Sequence, residues 1–178
     1  MRRRKITVLI MLLMSGFILM PAVAEQSKPS MTLKQAMDLD KHNKFHEAVE
    51  AIKQIINQSP AQDNAKAYFS LGIVYFSNGE YENALDGGFL KSIELKKENP
   101  AAYYFMGMIY EKKALSTAKP DIAKEMKSKA LESWQNYLKY AGNKKYIPSG
   151  DHNNIGITVQ EGIKRAKNHI EMLQEGLQ

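Results

Sequence analysis

The 178-residue sequence contains no cysteine. This absence excludes a disulfide scaffold, cysteine-ligated zinc, iron–sulfur clusters, thiol catalysis and a lipid-modified N-terminal cysteine. A strong excess of one charge is also missing from most of the chain. The formal charge is +6, but four of the 25 basic residues stand at positions 2–5, which leaves 21 basic against 19 acidic residues. This balance does not favour nucleic acid as a partner.

Long apolar runs are absent except at the N-terminus. A basic cluster at residues 2–5 precedes a mostly apolar run over residues 6–20, and a small-x-small cleavage motif follows at residues 22–24. The run is shorter than the roughly 20 residues that a membrane span needs. We therefore predict a cleaved export signal over residues 1–24, with an uncleaved membrane anchor as the alternative. A linker over 25–30 follows, and the periplasm of a bacterium is the expected destination.

The remaining chain contains an internal repeat. One aromatic, apolar, glycine and tyrosine pattern occurs twice, as Tyr68-x-x-Leu71-Gly72-x-x-Tyr75 and as Tyr103-x-x-Met106-Gly107-x-x-Tyr110. The large residues occupy positions i, i+3 and i+7, which form one stripe of a helix. A glycine inside a helix costs about 1 kcal/mol, so we expect another backbone to pass close to each glycine.

A second helix follows each first helix. Each second helix begins with a small residue, and apolar residues follow it at helical spacing. These positions are Ala48, Ile52 and Ile55 in the first repeat, Ala84 in the second, and Ala130, Trp134 and Tyr137 in the third. The unit of two antiparallel helices and about 34 residues resembles the tetratricopeptide repeat. The resemblance covers about residues 31–141. It implies an all-α, right-handed solenoid with three repeats at residues 31–63, 64–99 and 100–141.

The residues that define the repeats are the small and aromatic positions of this pattern. They are Ala36, Ala48, Leu71, Gly72, Tyr75, Ala84, Met106, Gly107, Tyr110, Ala130 and Trp134. The first repeat is degenerate, but Thr32-x-x-Gln35 marks its start as a capping box.

Two departures from the pattern are expected to change the helices. Gly87-Gly88 predicts a bulge or bend in the second helix of repeat two. About 11 additional residues before Ala130 predict that both helices of repeat three are longer and project beyond the others.

The C-terminal part ends in another helix. Residues 142–157 are rich in Gly, Asn, Pro and Ser and predict a loop, and a helix over 158–177 follows. Its apolar residues form a narrow seam: Val159, Ile163, Ala166, Ile170, Leu173 and Leu177. We expect this helix to cap the solenoid. Dimerisation through the seam, or folding back into the groove of the repeats, are the alternatives.

The resemblance implies a concave face that binds a partner and is formed by the first helix of each repeat. The stripe next to the glycine pattern is apolar in this chain and consists of Leu33, Met37, Phe69, Ile73, Phe76, Tyr104 and Met108. Some proteins of the family hold a terminal carboxylate with Lys, Arg and Asn in this region, whereas here Phe, Ile and Met replace them. We predict an apolar groove for another protein or peptide. The alternative is that the stripe belongs to the core.

A basic segment lies in repeat three. Its lysines are Lys112, Lys113, Lys119, Lys124, Lys127 and Lys129, and Lys139, Lys144 and Lys145 follow. They form a solvated face, or they contact an acidic partner or anionic lipid, in which case membrane contact is peripheral.

Catalysis and metal binding are not expected. His42 and His46 flank a turn rather than sharing one continuous helix, and Ser149, Asp151 and His152 are turn residues that are adjacent in sequence. We predict no catalytic residue, no cofactor and no metal. The predicted function is a periplasmic adaptor that binds a protein. A structural envelope protein that forms a homodimer through the C-terminal helix is the alternative.

Overall fold

The computed structural model describes residues 31–141 and 158–177. These residues form seven helices and no strand. In chain order the helices are α1 (Leu33–Lys41), α2 (Phe45–Gln58), α3 (Ala65–Ser77), α4 (the consecutive segments Tyr81–Asn83, Ala84–Phe89 and Leu90–Leu95), α5 (Pro100–Ser116), α6 (Pro120–Ala141) and α7 (Val159–Glu175). A single 3₁₀ turn, Ala61–Asp63, connects α2 to α3. No described helix is both long enough and apolar enough to cross a membrane.

The first six helices form three helical hairpins, which confirms the predicted solenoid. The turns of the first two hairpins have the same geometry, because each contains one residue with positive φ, Asn43 at 61° and Gly79 at 79°. The backbone N–H of the next residue donates a hydrogen bond to a carbonyl of the preceding helix. Lys44 donates to the carbonyl of Leu39, and Glu80 donates to that of Tyr75, each at 2.9 Å. The left-handed residue ends one helix and directs the chain back along it.

The ends of the helices follow the local sequence. Thr32 and Gln35 form the predicted capping box at the start of α1. Pro120 is the first residue of α6. A backbone N–H at this position would have no acceptor within the helix, so proline, which lacks one, costs no hydrogen bond. Thr158 accepts a hydrogen bond from the backbone of Glu161 at 3.2 Å and caps α7.

The core consists of two clusters that meet at α3. Ala67, Leu71 and Val74 of α3 are buried against α1 and α2. Phe69 and Ile73 lie on another side of α3 and pack against the cluster formed by α4, α5, α6 and α7. Helix α3 therefore has apolar neighbours on most of its circumference.

The predicted irregularity near Gly87 is present in α4. Residues Ala84–Phe89 form a π-helical segment. A Cβ atom on Gly88 would lie 2.3 Å from Cα of Gly72, so the backbones of α3 and α4 are in contact at this point. The backbone of α4 therefore passes close to Gly72, as expected from the sequence, and a Cβ atom on Gly72 would also meet the ring of Phe89 at 2.7 Å. The same expectation is wrong for Gly107, where a Cβ atom would instead meet the indole ring of Trp134 at 2.7 Å.

The third hairpin is longer than the second, as predicted. Helix α5 has 17 residues and α6 has 22, whereas α3 has 13. Helix α7 places its seam on this hairpin, with Ala166 fully buried and Leu173 9% exposed. The C-terminal helix therefore caps the solenoid, and Ala166 and Leu173 of the seam are not available to a second copy, whereas Val159 at its N-terminal end is 40% exposed. The predicted signal, linker and loop at 1–24, 25–30 and 142–157 lie outside the described residues.

Candidate partner-binding surface

The predicted groove residues differ widely in exposure. Five of them are half-buried: Leu33, Met37, Phe69, Ile73 and Phe76. Tyr104 is buried and Met108 is exposed. The stripe is therefore not one continuous open groove.

The aromatic part of the stripe packs between repeats. The ring of Phe76 lies 4.9 Å from that of Phe105 on α5, and the rings of Phe69 and Phe105 are 6.3 Å apart. Phe69 also contacts Phe89 of α4, with 5.8 Å between ring centroids. Edge and tilted contacts at these distances stabilise aromatic pairs. Phe69 and Phe76 therefore join repeat two to repeat three, and only part of each ring reaches solvent.

The assignment of Tyr104 to an open groove is wrong. Its side chain is only 4% exposed. Its ring makes edge contacts with Trp134 at 5.1 Å and Tyr137 at 5.3 Å, both on α6. The physical reason is that Trp134 and Tyr137 of α6 pack against this ring, so Tyr104 belongs to the core between α5 and α6.

Apolar surface that is open to solvent remains farther along α5. Met108 is 38% exposed and Leu115, seven residues later on the same helical face, is 85% exposed. Met172 of α7 is 58% exposed. The sequence interpretation missed Leu115 and Met172. The seven-residue interval between Met108 and Leu115 was the available signal.

The residues that define the repeats are placed in the interior. Nine of the eleven are buried, and Tyr75 and Tyr110 are half-buried. Trp134 is fully buried, and its indole N–H donates to Glu111 Oε1 at 2.7 Å. Burial raises the pKa of the neighbouring Tyr137 to about 12, because the phenolate would lose its hydration.

A polar cluster anchors α7 to the third hairpin. The imidazole of His169 stacks on Trp134 with 4.7 Å between ring centroids and 13° between ring planes. Its Nδ1 lies 2.9 Å from the Glu111 Oε1 that accepts from Trp134. The sequence interpretation did not connect Glu111 to His169, which is 58 positions farther along the chain.

The two histidines of the first hairpin lie on either side of its bend, His42 in the turn and His46 in the first turn of α2. His42 Nδ1 lies 2.7 Å from the carbonyl oxygen of Asp38, and the ring of His46 lies beside Phe45 with 5.1 Å between centroids. In the two described ranges, no group of three or more potential metal ligands comes together. Ser149, Asp151 and His152 lie outside those ranges.

A shallow pocket of about 260 Å³ separates α2 from the start of α4. Phe45 and Tyr75 form its apolar part, and their rings are 6.0 Å apart. Glu50 and Lys53 line it as an ion pair at 3.1 Å. The hydrogen bond to Glu50 raises the pKa of Lys53. Glu80 also lines the pocket, and its carboxylate accepts a hydrogen bond from Asn83 at 2.6 Å.

Comparison with known proteins gives distant similarities. No family model matches the chain. It is 26% identical over 120 residues to the photosystem I assembly protein Ycf3 of a strain of Prochlorococcus marinus, an alignment that covers 65% of this chain and 69% of that protein. It is 22% identical over 129 residues to the Ycf3 protein of Rippkaea orientalis, covering 70% and 74%. The crystal structure of MamA aligns with a TM-score of 0.40 and 20% identity over 81% of each chain.

Proposed function

We propose that this chain, which folds as a tetratricopeptide-repeat solenoid, is a non-enzymatic scaffold that binds another protein through its concave face. Two findings support the proposal. The repeats build a curved stack of helical hairpins, the arrangement that repeat proteins use to bind partners. The relatives that it matches are named as assembly proteins.

We choose the binding surface around Met108 because its side chain is exposed to solvent. It lies on α5, three residues after Phe105, whose ring is 4.9 Å from that of the half-buried Phe76 on α3. Methionine adapts its shape to different apolar partners, and aromatic residues and methionine are enriched at the centres of interfaces. The expected ligand is an apolar helix face or an extended peptide that crosses α3 and α5.

Photo-crosslinking in the producing cells tests this surface. A crosslinking residue replaces Met108, and a matched control replaces Leu95, which is 41% exposed at the end of α4 against 38% for Met108. We expect an adduct with a different protein from position 108 and none from position 95. Equal labelling from both positions, or an adduct only within the chain, would contradict the proposal.

A second experiment separates binding from folding. Met108→Asp should reduce the affinity for the crosslinked partner by at least about tenfold, because an interface would have to desolvate a carboxylate. Leu95→Asp should leave the affinity unchanged. Circular dichroism should show the same helical content in both variants, because both positions are exposed. Unfolding of the Met108 variant alone would assign this residue to the core.

We further propose that the scaffold works in the periplasm after cleavage of residues 1–24. The basic, apolar and small-residue order of this segment supports export. Mass spectrometry of the protein from a periplasmic extract should find an N-terminus at Glu25. Full-length protein confined to the cytoplasm or retained in the membrane fraction would contradict this location.

A further inference from the structure

The tip of the third hairpin extends past its neighbours. We define the tip as residues 114–124, the last turn of α5, the connection and the first turn of α6. On one side, Lys112 donates to the Tyr81 hydroxyl at 2.8 Å at the beginning of α4. On the other side, Lys127 donates to the carbonyl of Gly176 at 3.1 Å, just past the end of α7. The tip lies beyond both contacts, so neither α4 nor α7 accompanies it.

The tip carries large apolar side chains in water. Leu115 is 85% exposed in the last turn of α5, and Ile122 is 40% exposed in the first turn of α6. Single exposed apolar residues are ordinary on protein surfaces. Here two branched aliphatic residues stand on opposite sides of one short connection, in the part of the hairpin that has no neighbouring helix.

Positive charge surrounds these apolar residues. The segment from 112 to 129 contains six lysines and only two acidic residues, Asp121 and Glu125. Glu125 is paired with Lys129 at 2.6 Å, away from the tip. Among the residues that the structure describes, neither Lys119 nor Lys124 has an acidic side chain within ion-pair distance. Within the tip the only acidic residue is Asp121, so Lys119 and Lys124 leave a net charge of +1 beside the apolar apex.

We propose that the tip of the third hairpin docks on an anionic lipid surface, with Leu115 and Ile122 entering the interface and Lys119 and Lys124 contacting the headgroups. The shape favours a bilayer over a protein. A stable protein interface buries about 800 Å² on each partner, far more than two side chains at an apex provide. A bilayer interface accepts a small apolar protrusion without a complementary pocket, and its anionic headgroups attract nearby lysines.

The size of the expected effects follows from this geometry. Each lysine near an anionic surface contributes about a fivefold increase in partitioning, so Lys119→Gln combined with Lys124→Gln should weaken binding about 30-fold. Leu115→Ser should weaken it about tenfold, because its side chain no longer leaves water on docking. The two effects have different salt dependence. Only the lysine-dependent part should decrease between low and high ionic strength.

Vesicle co-sedimentation tests the proposal with the chain from Glu25 onward, which contains every residue of the described fold and lacks the apolar run over 6–20. The vesicles are phosphatidylcholine alone, or phosphatidylcholine with about 30% phosphatidylglycerol as the anionic lipid. The matched controls are Leu95→Ser and the pair Lys66→Gln with Lys91→Gln. These positions lie on α3 and α4, away from the tip.

The proposal predicts binding to the anionic vesicles, weaker binding to the neutral ones, and loss of binding in the tip variants but not in the controls. No binding of the wild-type chain, or binding that the tip variants retain, would overturn it. Loss of a protein crosslink in the tip variants without any change in vesicle binding would assign the tip to a protein partner instead. Met108→Asp should retain vesicle binding, so failure of the proposed scaffold surface and failure of lipid docking remain distinguishable.

Discussion

The contact between Gly72 and Gly88 allows the sharpest test of the fold. A Cβ atom on Gly88 would lie 2.3 Å from Gly72 Cα and 2.5 Å from Gly72 N. Carbon atoms pack at about 3.5–4 Å, so Gly88→Ala must separate α3 and α4 by more than about 1 Å. The obstacle is backbone, which cannot rotate away as a side chain can.

We expect Gly88→Ala to destabilise the protein by about 2 kcal/mol, the cost of overpacking less the gain from replacing a helical glycine. Overpacking of this kind costs about 1–3 kcal/mol, and the upper end applies because two helix backbones must move. Replacing glycine by alanine in a helix returns only about 1 kcal/mol. For a chain of this size, the net loss corresponds to a fall in Tm of roughly 4–8 °C.

Gly87→Ala is the matched control in the same π-helical segment. Its Cβ atom would lie 3.5 Å from Tyr75 Cε2, an ordinary contact distance. We expect this variant to be neutral or slightly more stable than the wild type. Urea unfolding followed by far-ultraviolet circular dichroism measures both variants. Equal stability of the two variants would refute the close approach of α3 and α4.

Three further predictions follow from buried polar groups. Burial raises the pKa of Tyr137 to about 12, from 10.0 in the unfolded chain. The contribution of Tyr137 to the free energy of unfolding should therefore be complete below about pH 10 and lost towards about pH 12. Ultraviolet absorption of the phenolate measures this titration. Ser92→Ala should lower the free energy of unfolding by about 1–3 kcal/mol in urea, because fully buried Ser92 donates to the Ala65 carbonyl at 2.8 Å. Glu111→Ala should lower it by a similar amount by leaving the Trp134 indole N–H without its acceptor, whereas Glu111→Gln retains an oxygen and should lose less in thermal unfolding.

The order of helices and turns could be predicted from the sequence because its signals are local. Gly79 ends one helix with a positive φ, and the capping threonine at 32 starts another. The Gly87-Gly88 pair indicated an irregular helix, because two glycines stand where the family pattern has a large residue. Each of these signals depends on residues within one or two turns of each other.

The contacts between helices could not be predicted in the same way. Periodicity shows that Tyr104 and Met108 share a side of α5, but it does not show that the aromatic rings of α6 bury only Tyr104. The stacking of His169 on Trp134 joins positions 35 residues apart and depends on how α7 is placed. Gly107 illustrates the same limit, since a helical glycine accommodates either a backbone or a large ring, and here the ring of Trp134 fills the space.

The small number of repeats explains where open apolar surface remains. Helix α3 lies in the middle of the stack, and its apolar sides contact both core clusters, so Phe69 and Phe76 are largely used for packing. Six large apolar residues are exposed in the described ranges, and five of them lie on α5, α6 and α7: Met108, Leu115, Ile122, Val159 and Met172. The last hairpin and its cap have fewer neighbours than α3, so their apolar side chains remain accessible. Surfaces for a partner and for lipid should therefore both be found at this end of the solenoid, with Met108 and the tip as separate sites.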